Sequence, residues 1–179
     1  MILRRLFGRN EWEAPARALY EIAVGQARHP DFYRHLGIPD TIDGRFELVA
    51  LHGFLLIRRV RSLPAGGTLG QALFDVMFAD MDASLREMGA GDLGVGRRVK
   101  TMAKGFYGRM AAYEAGLAGT APLADALRRN LYGTTEPPPS VLAAMAEYLR
   151  DAAQTLENRP DSALEAGQAG FPAPPPLGR

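Results

Sequence analysis

The chain has no cysteine, only two lysines and a single tryptophan, and no apolar run near the roughly 20 residues that cross a bilayer. Without cysteine there are no disulfides, no thiolate metal sites and no cysteine nucleophile. The longest apolar stretch, residues 48–57, is interrupted by His52. No sign of charge dominates, with 21 basic against 20 acidic residues and a net charge of +1, so recognition by charge has to come from local patches. Strand-like alternation is missing as well, and so is any repeat of fixed period. What remains is helical periodicity. The N-terminus, MILRRLFGRN, has the charges of a secretion signal but no apolar stretch behind them, and is expected to be a frayed basic terminus, with weak rest on an anionic membrane surface as the lesser alternative.

Two long patterns dominate from Thr68 to Leu117. In the first, Leu69, Leu73, Phe74, Met77, Phe78, Met81, Leu85 and Met88 recur at three- and four-residue steps among Asp75, Asp80, Asp82 and Glu87. After a glycine-rich turn, Val95, Val99, Met102, Phe106, Met110, Tyr113 and Leu117 repeat the spacing among Arg97, Arg98, Lys100, Lys104 and Arg109. An acidic helix is thus followed by a basic one, and five of the seven methionines fall between Met77 and Met110. Before them, a helix opening near Pro15 carries Ala16, Leu19, Tyr20, Ala23, Val24 and Ala27, and a corner follows at DFYRHLGIPD. A third helix, with Asp43 as its expected N-cap, is apolar on two sides: Phe46, Val49, Ala50, Gly53, Ile57 and Val60 on one, Leu48, Leu51 and Leu55 on the other. That places it in the middle of a bundle. A short segment with Leu123, Leu127 and Leu131, a TTEPPP spacer and a last helix capped by Ser140 complete the pattern. The expected architecture is all-α, a single-domain bundle of about five to six helices. A basic segment would span residues 1–13, the helical domain 14–157, and a flexible, disordered Pro/Gly-rich tail 158–179.

His52 lies seven residues from both Arg45 and Arg59, close to one helix face, so those cations are expected to depress its pKa and leave a neutral hydrogen-bonding side chain. No Glu-x-x-His or His-x-x-x-His supplies metal ligands, and neither a catalytic residue nor a cofactor is predicted. The carboxylates Asp80, Asp82 and Glu87 lack a partner nucleophile, and Asp80 is expected to pair with a basic residue of the following helix. Gly105 and Gly108 inside that helix each cost about 1 kcal/mol relative to alanine, which predicts close approach by another helix, with Gly53 as the candidate contact, or a trough for a foreign helix. The methionines admit two readings, gap-filling core or an adaptable apolar groove.

Three runs carry a resemblance: QARHPDFYRHLGIPDTIDGRFELVALH at 26–52, LFDVMFADMDASLREMGAGD at 73–92 and FYGRMAAYEAGL at 106–117. Together they resemble the ubiquinol-cytochrome c chaperone family, and the short N-terminus is similar to its bacterial branch. The resemblance implies an all-helical, non-enzymatic, membrane-associated assembly factor for the respiratory quinol-cytochrome c reductase that binds newly made cytochrome b. It also implies, for mitochondrial members, work near the ribosomal exit with a small partner protein. The client surface is expected at residues 80–92 and 106–113, through Phe78, Asp80, Met81, Leu85, Met88, Met102, Phe106, Tyr107, Met110 and Tyr113. Arg97, Arg98, Lys100 and Lys104 offer a phosphate or ribosome contact, the basis of an alternative reading as an RNA- or ribosome-associated module. Neither DNA nor a small-molecule substrate is expected, and the expected location is cytoplasmic, including the cytoplasmic face of the inner membrane.

Overall fold

A computed structural model describes residues 11–87, 92–133 and 135–176, the side chains of residues 85 and 92–100 excepted. Among the described residues eight α-helices follow in order: α1 (Glu13–Ala27), α2 (Pro30–Arg34), α3 (Ile42–Val60), α4 (Gly66–Glu87), α5 (Asp92–Leu117), α6 (Leu123–Leu127), α7 (Pro139–Glu157) and α8 (Asp161–Glu165). A π turn, Arg128–Tyr132, continues α6, and there is no strand among the described residues. The all-α, single-domain expectation holds.

The two-sided apolar pattern of α3 explains its position. Leu48, Leu51, Phe54, Leu55, Leu56, Ile57 and Val60 are buried, and the helix packs against α1, α4, α7 and the π turn at once. Gly53 allows the α4 contact: a Cβ there would lie 2.9 Å from Met77 Sδ. The expected partner was α5, but the glycine serves a methionine of α4. The helix begins earlier than Asp43 predicts, because Thr41 is its cap and accepts a 3.1 Å hydrogen bond from the Gly44 amide. The incoming chain crosses so tightly that a Cβ on Gly44 would meet Pro39 O at 2.1 Å, and Asp43 falls in the first turn, where the helix dipole favours a carboxylate. Ser140 is likewise inside α7, which opens on Pro139 after an extended Pro138. Pro15 is the third residue of α1, at a position whose missing N–H has no intrahelical acceptor to lose.

The expectation of a disordered tail from residue 158 onward is corrected. Residues 161–165 form α8, Leu164 is buried, and Phe171 packs edge-on against His52 with ring centroids 4.9 Å apart. Two buried polar groups hold this segment. Arg59, nearly fully enclosed, donates to Leu156 O at the C-terminus of α7 (3.1 Å), to Ser62 Oγ (2.9 Å), to Arg159 O (3.0 Å) and to Asp161 Oδ1 (2.6 Å). A guanidinium aimed at the last carbonyls of a helix satisfies groups the helix leaves open and complements its dipole.

The second group is a chain of hydrogen bonds through His52. Gln26 Nε2 donates to Pro172 O (2.8 Å) and to the Tyr148 hydroxyl (3.0 Å). That hydroxyl lies 2.7 Å from His52 Nε2, and His52 Nδ1 lies 2.7 Å from Leu48 O. Since a carbonyl only accepts, Nδ1 carries the proton and Nε2 accepts from Tyr148, so every member is satisfied with His52 neutral. Its pKa is lowered to about 4, as the sequence led one to expect, but for another reason: burial, opposed by the bond to Leu48. Arg45 instead pairs with Asp40 at 2.6 Å, and Arg59 is turned toward α7.

Candidate functional site

The expected seam between α4 and α5 is sealed along its described length. Phe78 (8% exposed), Met81 (7%), Phe106 and Tyr113 belong to the core, as does Met77. Phe74 closes the seam from outside, its ring 4.4 Å from Phe78 and 5.5 Å from Tyr107. Tyr107, 53% exposed, and half-buried Met110 line a separate hollow with Phe54, Arg58, Arg61, Ala111 and Glu114. Gly105 makes room within its own helix, since a Cβ there would lie 2.5 Å from the Arg109 guanidinium. That guanidinium forms a two-pronged pair with Glu47 of α3, with Nε to Oε2 at 2.6 Å, and sits 5.8 Å over the Phe46 ring. At Gly108 a Cβ would meet nothing within 4 Å. Lys104 is exposed on α5; Met88 and the side chains of Leu85, Arg97, Arg98 and Lys100 lie outside the described residues.

Three of the predicted residues meet at one recess. Asp80, Met81 and Met102 line a recess of about 250 Å³ together with Tyr20, Val24 and Ala27 of α1, Tyr33 of α2, and Ile42, Phe46 and Val49 of α3. Ile42 stands at its mouth, 56% exposed. The walls follow from the helix patterns. The start of one apolar stripe of α3, Phe46 and Val49, extends beyond what α1 and α4 cover, so its first turns present half-buried apolar side chains outward. Val24 meets them from α1 as the outermost residue of that helix's apolar face. A recess of this size is below the roughly 300–1,000 Å³ of a drug-sized ligand site and suits a few apolar side chains of a larger partner.

Beside it, and sharing Tyr20, Val24, Arg28 and Asp80 with it, runs a longer groove of about 790 Å³ between α1 and α4. Its floor is small or apolar (Gly25, Ala72, Val76, Ala79, Ala83) and its rim is charged (Glu13, Arg17, Glu21, Arg28, Asp75, Asp80). Asp80 stands at the junction and accepts a 2.7 Å hydrogen bond from the Tyr20 hydroxyl. Its expected partner was a base on the next helix, but α1 lies closer to this face of α4 and offers a phenol. Burial, with the Asp80 carboxylate, raises the pKa of Tyr20, so the hydroxyl keeps its proton and stays a donor. Asp82 pairs along its own helix with Arg86, at 2.7 Å. This arrangement offers apolar contact and charge, with Asp80 engaged by Tyr20 and Asp75 by Gln71.

Residues 34–171 match the family described as Ubiquinol-cytochrome C chaperone. The chain belongs to this family. By that description it is a family of chaperones. The crystal structure of the Cbp3 homolog from Brucella abortus is similar over 90% of both chains, with a TM-score of 0.79 and 38% identity. Ubiquinol-cytochrome-c reductase complex assembly factor 1 of Xenopus laevis is 26% identical over 83% of this chain and 76% of its own length. Protein CBP3, mitochondrial, of Saccharomyces cerevisiae is 30% identical over 80% of this chain but only 44% of its own length. The matched region runs through Phe171 and so includes the docked segment after α7.

Sequence reasoning missed Ile42, Val24, Tyr33 and the pairing of Tyr20 with Asp80 as parts of a surface. The one available signal was the double stripe of α3, which carries more apolar residues in its first turns than a single neighbour can cover.

Proposed function

We propose that this chain is an assembly chaperone of ubiquinol-cytochrome c reductase that shelters an apolar segment of newly made cytochrome b in the recess between α1, α3 and α4. It would do so at the cytoplasmic face of the inner membrane, where such a segment waits for insertion. The observation that carries the reading is the recess itself. Val24, Ile42, Phe46, Val49, Met81 and Met102 form its apolar wall, half-buried for the most part and with Ile42 exposed at the mouth. Methionines at its floor adapt to side chains of varied shape, which suits a client without a fixed fold. An interface of standard size, about 1,200–2,000 Å² in total, gives micromolar rather than picomolar affinity when the client is not preorganised, and so permits release.

The test is site-specific photocrosslinking in cells from Ile42 and from Ser84 of α4, which also lines the recess, and from Tyr107 outside it. Capture of cytochrome b from the first two and not from the third is expected, together with reduced accumulation of that subunit when the gene is deleted. Capture from Tyr107 alone, or unchanged accumulation, rejects the reading.

A further inference from the structure

The apolar recess and the acidic-rimmed groove form one continuous trough whose halves differ in chemistry. Along the groove stand four carboxylates, Glu13, Glu21, Asp75 and Asp80, against two guanidiniums, Arg17 and Arg28, a formal balance of −2 (two minus four). Little cancels them locally. Glu13 and Arg17 pair loosely at 3.8 Å, with both side chains more than half exposed. Asp75 accepts from the Gln71 amide at 2.8 Å and Asp80 from the Tyr20 phenol, neither of which brings a positive charge. Glu21 has no hydrogen-bond or ion-pair partner among the described residues. In the recess the carboxylate at the junction is the single acid, beside Arg28, which both halves share, and Arg45, which is paired with Asp40.

We propose that the trough takes a segment of mixed character, the apolar end of a membrane helix in the recess and the basic flank that follows it in the groove. This rests on the chaperone reading above and deepens it by naming the chemistry of the client region. Segments of that kind are what an emerging membrane protein offers on the cytoplasmic side, where lysine and arginine concentrate next to the apolar spans. The small floor residues let a second backbone approach closely, and the groove, following α1 from Glu13 to Arg28, is roughly 22 Å long, room for about four turns of helix. Asp80 marks the border between the halves. The basic flank takes the place of counter-ions on the rim, and the two halves together select a junction over a wholly apolar or wholly charged segment.

The experiment uses the full chain and three fluorescent peptides sharing one apolar stretch: one with a four-residue Lys/Arg flank, one with a Glu flank, one with none. Anisotropy at low salt is expected to show the basic-flank peptide binding roughly tenfold more tightly than the acidic one, the difference shrinking as salt rises. The double variant Glu21→Lys, Asp75→Lys, both at exposed positions, is expected to remove that discrimination while leaving the flankless peptide unchanged. Discrimination that survives the double variant overturns the proposal while the apolar recess stands. Altered sedimentation of the double variant without altered peptide preference assigns the groove to a second copy of the chain and overturns it too. If none of the three peptides binds, both this inference and the reading it rests on fall.

Discussion

Two faces of the same helices are treated in opposite ways. Around Gln26, His52 and Tyr148 the polar atoms of the network are matched and the apolar surface is covered by a segment from the far end of the chain. Around Val24, Phe46 and Val49, on the same α1 and α3, the apolar wall stays half-exposed, with the Tyr20–Asp80 bond at its edge. The fold therefore has the means to cover an apolar face, with Phe171 over His52 and Phe74 over Phe78, and leaves this wall only half-covered. Stability should reside in the covered face and binding in the half-exposed one, and substitutions that separate the two test this.

The largest effect is expected at Arg59. Arg59→Ala strips four acceptors at the junction of α3, α7 and α8, two of them backbone carbonyls at a helix end, and should cost about 3–4 kcal/mol in urea unfolding. Next comes pH. The pKa of His52 falls from the ordinary 6.5 to about 4 on folding, so above pH 6.5 the residue is neutral in both states and its contribution is complete. Between pH 6.5 and 4 only the unfolded chain takes up the proton, and stability declines as pH falls, by about 3 kcal/mol in all. Unfolding midpoints measured from pH 7.5 to 4 should show this slope in the native chain and lack it in His52→Gln. Tyr148→Phe leaves His52 Nε2 without its donor and Gln26 without one acceptor, a loss of about 1–2 kcal/mol by the same measurement. At the half-exposed face, Ile42→Ser should change stability by about 0.5 kcal/mol or less, because the side chain is already in water, yet weaken binding of an apolar peptide severalfold by anisotropy. An Ile42→Ser loss as large as that at Arg59 would erase the distinction between the two faces.

Much of the fold was legible because helical spacing names the buried face of each element. Ala16, Leu19, Ala23 and Ala27 of α1, and Val141, Leu142, Met145, Leu149, Ala152 and Leu156 of α7, are all in the core as their spacing predicts. The spacing does not name what lies opposite. Phe78, Met81 and Phe106 have the same period whether they face a groove or one another, and the choice was made by Phe74 and α1, elements whose positions are set by contacts across the chain. Asp80 and Tyr20 meet across 60 residues of sequence, a separation at which no local rule couples a phenol to a carboxylate. The segment after residue 158 misled because its composition is that of a linker. One phenylalanine, one proline carbonyl and a buried arginine gave it a seat that composition does not record.

That seat sets an order of events during synthesis. Gln26 waits 146 residues for Pro172, so a ribosome making this protein emits α1, α3 and α7 before the piece that closes over the histidine exists. Until then His52 lacks the Phe171 ring that packs on it and Gln26 one of its two acceptors. A nascent chain cut short ahead of Phe171 is thus a nearly finished protein with an open wound, the kind of product that quality control can tell from a completed one.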